Sequence, residues 1–195
     1  MAFRKLDDAL SERRALADGF TPIKLTNKQL SQWEMTRSAL LWNCPAFTHI
    51  LYTLMSRDDG EVALFTDAIP RAATDGATML LNPEWFFKLS LQHRVFVAAH
   101  EICHAIFNHC GQAYMHRKRG VVITPGGKKL PFDDKLMNIA QDLIINDLLI
   151  ESKVGAFVAE GIHDTSRGTM GDSMIDVYEK IYEEAKKNGF QVQGV

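Results

Sequence analysis

Residues 95–107 constrain this chain more than any other stretch, because they are apolar enough for a protein interior yet contain His100-Glu101-Ile102-Cys103-His104. Flanked by Val95-Phe96-Val97-Ala98-Ala99 and Ala105-Ile106-Phe107, the segment reads as a core helix that Ser90 caps and that runs through His109. Residues four apart on a helix are stacked neighbours, about 5–6 Å between Cβ atoms, so the two imidazoles converge. Two histidines and a glutamate in a buried element need a reason. The H-E-x-x-H spacing offers one: His100 and His104 hold one divalent ion at roughly 2.0–2.1 Å each, and Glu101, projecting beside them, serves as general base to a water.

A catalytic zinc takes three protein ligands and keeps an open position, so a third ligand must come from elsewhere. The extended motif H-E-x-x-H-x-x-G-x-x-H does not continue here, since Phe107 stands at its glycine and Cys110 at its third histidine. His109 is a weak alternative, because on a continuous helix it points roughly 140° away from His104. Asn138, Asp142 and Asn146, spaced i, i+4, i+8, make one polar ridge on an otherwise apolar helix capped by Asp133 or Asp134 and running to about Ser152. A buried unpaired carboxylate costs several kcal/mol, and a bound cation removes that cost, so Asp142 is the third ligand on this reading. Pairing with an arginine or a helix N-terminus, or plain solvent exposure, stays open for Asp142. Asn138 and Asn146 then orient ligands or hydrogen-bond substrate, with ordinary polar packing as the alternative.

With 195 residues, 46% of them hydrophobic, the chain has enough core to fold without a metal, so an ion bound here is functional. A net charge of -2 argues against a sequence-independent hold on nucleic acid. The three cysteines, Cys44, Cys103 and Cys110, form no C-x-x-C pair and read as reduced thiols. The charged start of the chain lacks the apolar run of a signal peptide, and no stretch is suited to span a membrane, so a cytoplasmic protein is expected.

Along the rest of the chain a helix is expected over 6–17. Thr26 and Gln29 form a capping box for a helix with Leu30, Trp33, Leu40 and Leu41 on one side. Pro45 starts another. Short strands follow the turn signals Asp58-Asp59-Gly60 and Thr74-Asp75-Gly76, at 62–65 and 78–81, and Asn82-Pro83 opens a short helix. Residues 112–130 lose all periodicity and carry Arg117, Lys118, Arg119, Lys128 and Lys129, which reads as a mobile basic loop. Ser173 caps a last helix with Met174, Tyr178, Ile181, Tyr182 and Ala185 facing inward. No repeat or linker interrupts the chain, so one domain over 1–195, with its core at about 26–188, is the simplest division.

His100-Glu101-Ile102-Cys103-His104-Ala105-Ile106-Phe107-Asn108-His109, together with Asn138-Ile139-Ala140-Gln141-Asp142-Leu143-Ile144-Ile145-Asn146-Asp147-Leu148-Leu149, resembles the metallopeptidase domain that precedes a von Willebrand factor A-like domain in many bacterial proteins and also occurs in bacteriophages. The similarity runs over about residues 30–182 and takes in Asp176-Val177-Tyr178. It implies a zincin-like α+β domain, mostly helical with a small β-sheet beside the H-E-x-x-H helix. It further implies a Zn2+ cofactor held by His100, His104 and Asp142, with Glu101 as catalytic acid and base. The expected reaction is hydrolysis of a protein or peptide substrate by a zinc-activated water. Residues 78–81 would be the edge strand that an extended substrate pairs with, and His109, Tyr114 and His163 are unranked candidates for stabilising the oxyanion. The alternative is a non-catalytic, zinc-stabilised interaction or regulatory module, with His109 or Cys110 closing the site. A separate regulatory protein partner is compatible with either reading.

Overall fold

Leu91 to Ile106 form a single helix because Ser90 accepts from the His93 N–H at its start and one broad apolar face follows. That helix organises the first of two units in this computed structural model, which describes residues 19–55 and 61–189. The first unit contains the chain up to Asn108 together with Val154–Val158; the second contains His109–Lys153 and the chain from Ala159 on. The expected helix at 6–17 and the turn at 58–60 lie outside the described residues.

In the first unit, α1 (Asn27–Asn43) starts at the Thr26–Gln29 capping box and α2 (Pro45–Leu54) restarts at Pro45. Strands β1 (Ala63–Phe65), β2 (Ala72–Thr74) and β3 (Met79–Leu81) make a sheet in the order β1-β3-β2, with β3 parallel to β1 and antiparallel to β2. The short helix α3 (Pro83–Phe86) is capped by Asn82, and the central helix α4 (Leu91–Ile106) packs against α1, α2, β2 and β3. Trp33, Phe65 and Phe86 meet edge-on or tilted at centroid distances of 5.6–6.5 Å.

Three expectations for this unit are corrected. Of the expected strand 78–81, Met79–Leu81 form the middle strand of the sheet, not its edge; β2, which the sequence did not reveal, takes the outer place beyond it. On α1, Leu30 and Leu41 are exposed while Thr36 is buried. Thr36 is drawn inside because its hydroxyl accepts from Nε of buried Arg94 at 3.0 Å and donates to Gln32 O at 2.8 Å. Helix α4 stops at Ile106 instead of continuing through His109: the Phe107 N–H caps onto Cys103 O, and Asn108 turns the chain at φ 52.

The second unit starts with α5 (His109–Arg119), followed by β4 (Val121–Ile123) and β5 (Lys129–Pro131), an antiparallel hairpin. Residues 112–130 are therefore a helix and a hairpin, not a loop. The apolar signal is absent because α5 buries only His109 and Gly111, and the hairpin sends only Val122 and Leu130 inward. Two of the basic side chains are held by carboxylates, Arg117 by Asp134 and Lys128 by Glu179 and Glu183 at 2.8 Å each. Helix α6 (Asp134–Glu151), capped by Asp133, and α7 (Met174–Lys187), capped by Ser173, pack on each other and share the core with the hairpin. Tyr178, wholly buried, donates to Pro131 O at 2.7 Å and accepts from the Asp133 N–H at 2.8 Å. Burial pushes its phenol up to about 12.

Candidate metal centre

Helix α4 brings His100 and His104 onto one face, as their spacing requires, with Nε2 atoms 3.0 Å apart and ring centroids 4.8 Å apart. Two nitrogens bound to one tetrahedral ion at roughly 2.0–2.1 Å each stand about 3.3 Å apart, so the separation in α4 suits a shared ion. His104 is 7% exposed and Glu101 6%, so both polar groups lie inside the unit next to the half-buried His100. Cys103, on the same turn, is buried, and burial, with Cys44 and Glu101 adding to it, pushes its thiol up to about 12.

In the second unit Asp142 is half-buried on α6, and its Oδ2 accepts from Nδ2 of exposed Asn138 at 2.9 Å. Asn146, one turn further along α6, is buried and donates Nδ2–H to Ile162 O at 2.7 Å, which fixes a loop. His109 opens α5, buried, with its carbonyl accepting from Gln141 Nε2 at 3.5 Å. Since α4 has ended before it, the 140° offset from His104 that a continuous helix imposes does not apply. Tyr114 is exposed on α5.

His100, His104 and Asp142 are the side chains that make a candidate metal-binding group among the described residues. The donor chemistry, two imidazoles and one carboxylate, is the set a catalytic zinc uses. A family model described as a putative metallopeptidase domain matches residues 31–188. The chain belongs to this metallopeptidase family. No curated protein and no solved structure matches it. The family match covers both units and every residue of the candidate metal group. Among the described residues, no helix of this family member is long and apolar enough to cross a membrane.

One polar group of the family member escaped the sequence reading. Asp147 is 4% exposed on α6, and both its oxygens are engaged: Oδ1 lies 3.1 Å from His163 Nε2, and Oδ2 accepts from the Met170 N–H at 2.8 Å. The available signal was a carboxylate next to Leu148 and Leu149 on a helix with almost no other exposed arc, a placement that requires a partner.

Proposed function

We propose that the chain is a zincin-like, zinc-dependent peptidase in which His100, His104 and Asp142 hold the ion and Glu101 is the catalytic acid and base. The observation that carries this reading is the pair of imidazole nitrogens 3.0 Å apart beside a buried glutamate. When bound, the ion supplies Lewis acidity to the scissile carbonyl and lowers the pKa of a coordinated water towards about 7. Glu101 takes the proton from the attacking water on a carboxylate oxygen and delivers it to the departing amine nitrogen. Asn138 orients Asp142 through its Nδ2–H, as outer partners of metal ligands do. With β3 in the middle of the sheet, an extended substrate has the outer strand β2 as the place for backbone pairing. Both units work as one peptidase domain on this reading, and the three free thiols suit a reducing cytoplasm.

The test is Glu101→Gln assayed on an unfolded protein such as casein. Removing a general base costs on the order of 10²–10⁴ in rate, while the ligands and the bound zinc remain. An unchanged rate excludes the role given to Glu101. X-ray absorption on the zinc-loaded protein separates the alternative: an exchangeable water in the coordination sphere supports the peptidase, whereas a site closed by His109 or Cys110 marks a regulatory module.

A further inference from the structure

No residue of the β4–β5 hairpin enters the candidate metal group, and the phase of its ladder decides which of its backbone groups stay open. Phe132 N–H donates to Gly120 O at 3.1 Å and Thr124 N–H to Lys128 O at 2.9 Å, with Val122 opposite Leu130 between them. Gly120, Val122 and Thr124 therefore turn their backbone groups toward β5, and Val121 and Ile123 turn theirs to the outer edge of β4. At that edge the Val121 carbonyl meets Nδ1 of His116 at 3.4 Å. The Val121 N–H and both backbone groups of Ile123 have no hydrogen-bond partner among the described residues.

The opposite edge is blunted. Pro131 has no N–H to offer, and α7 meets it there, with Tyr178 donating to Pro131 O at 2.7 Å. Strand edges are usually protected in some such way, because open ones template pairing with another chain. Ile123 carries no comparable device, and its side chain is 46% exposed. The edge is also held in shape: Gly127 N–H donates to Thr124 O at 2.9 Å, Lys128 N–H to Thr124 Oγ1 at 3.2 Å, and Val122 and Leu130 are buried in the core of the unit. A strand fixed in advance lowers the ordering cost of an incoming partner. Charge then selects that partner. Lys118 and Arg119 lead into β4, and Lys129 stands opposite Ile123 in the register. Arg117 and Lys128 have carboxylate partners; Lys118, Arg119 and Lys129 have none among the described residues. Two copies of such an edge would set like charges against each other, whereas acidic side chains on an incoming strand are attracted.

We propose that the outer edge of β4 docks an extended, acidic segment of a partner protein, which adds to the hairpin as a further strand by pairing with Ile123. Backbone pairing supplies the contact, and the free cations around the strand supply the preference for acidic sequence. The proposal goes beyond the peptidase reading and does not depend on it.

The experiment uses the full chain and a short synthetic peptide of alternating glutamate and valine, followed by fluorescence anisotropy and by amide hydrogen exchange. Saturating peptide should slow exchange of the Ile123 N–H by at least about tenfold and leave that of Val122, already bonded within the hairpin, nearly unchanged. A peptide methylated on its backbone nitrogens, and one with lysine in place of glutamate, should each bind at least about tenfold more weakly. Affinity for the acidic peptide should fall as salt rises from about 0.05 to 0.5 M. Ile123→Pro removes an outward N–H and no ladder bond, so it should weaken binding by at least about tenfold at an unchanged melting temperature. Where the proline lowers the melting temperature, the methylated peptide decides instead. No binding at millimolar peptide, equal binding of the methylated peptide, or unchanged exchange at Ile123 overturns the docking edge. Equal binding of the lysine peptide overturns the acidic partner, and Ile123 exchange that slows with protein concentration alone assigns the edge to a second copy of the chain and overturns the proposal as well.

Discussion

Glu101 and Asp147 are both nearly sealed from solvent, and a charge in that position persists only with a partner. For Asp147 the partners are a histidine and a backbone N–H of its own unit. On the proposed function, His100 and His104 offer the ion two ring nitrogens and buried Glu101 stands beside it. His100→Ala should therefore lower zinc affinity by more than about 100-fold, since even partners that merely orient a ligand contribute 10–100-fold. Elemental analysis after dialysis against a limiting zinc buffer reads this out, and equal zinc in parent and variant would mean that the ligands are elsewhere. At this scale the sequence is legible wherever the geometry is local. The i, i+4 spacing of His100 and His104 carries its own meaning, as does the Asn138–Asp142 contact. The Asp147–His163 pair was not legible, because sixteen residues of chain with no common periodicity separate the two side chains.

Among the elements, the caps read from Thr26, Asn82, Ser90 and Ser173, and Pro45 as a first helical residue, begin helices where expected, because helix starts are decided within one turn of chain. Helix ends and weakly apolar elements were harder to read. Helix α4 stops three residues early at a left-handed Asn108, and α5 hides behind a polar sequence. The segment Val154–Val158 shows what a close packing contact demands. Gly155 adopts φ 66, Ala156 N–H donates to Gln92 O at 3.0 Å, and Phe157 meets Phe96 edge-on at 5.5 Å. A Cβ on Gly155 would stand 2.5 Å from Gln92 O and 2.6 Å from Phe96 N, both backbone atoms of the helix that carries the histidines. Gly155→Ala should thus destabilise by about 2–3 kcal/mol, a part from the left-handed backbone and a part from the clash. Gly189→Ala is the control, with φ 68 and open space around the added methyl, and should cost only about 1 kcal/mol. Equal melting shifts for the two variants would show that the contact with α4 does not matter.

For the molecule as a whole, each unit has apolar side chains buried to a few per cent or less, and the metal is not expected to be what folds them. Chelation should leave the far-UV circular dichroism and cooperative unfolding in place. Zinc at 100 times its Kd should add about 2.7 kcal/mol, roughly 5–10 °C in Tm for a chain of this size. A chelated protein that unfolds outright would favour the metal-stabilised module over the enzyme. By itself the sequence determined the histidine pair, the glutamate beside it, the polar ridge of α6, most helix starts and membership of a metallopeptidase family, since each is encoded within a few residues or in a motif. Only the tertiary structure decided that β3 is flanked on both sides, that the basic stretch is a helix and a hairpin whose Arg117 and Lys128 meet carboxylates, and that Asp147 meets His163. Those outcomes depend on which distant segments share a boundary, and local spacing contains no information about that.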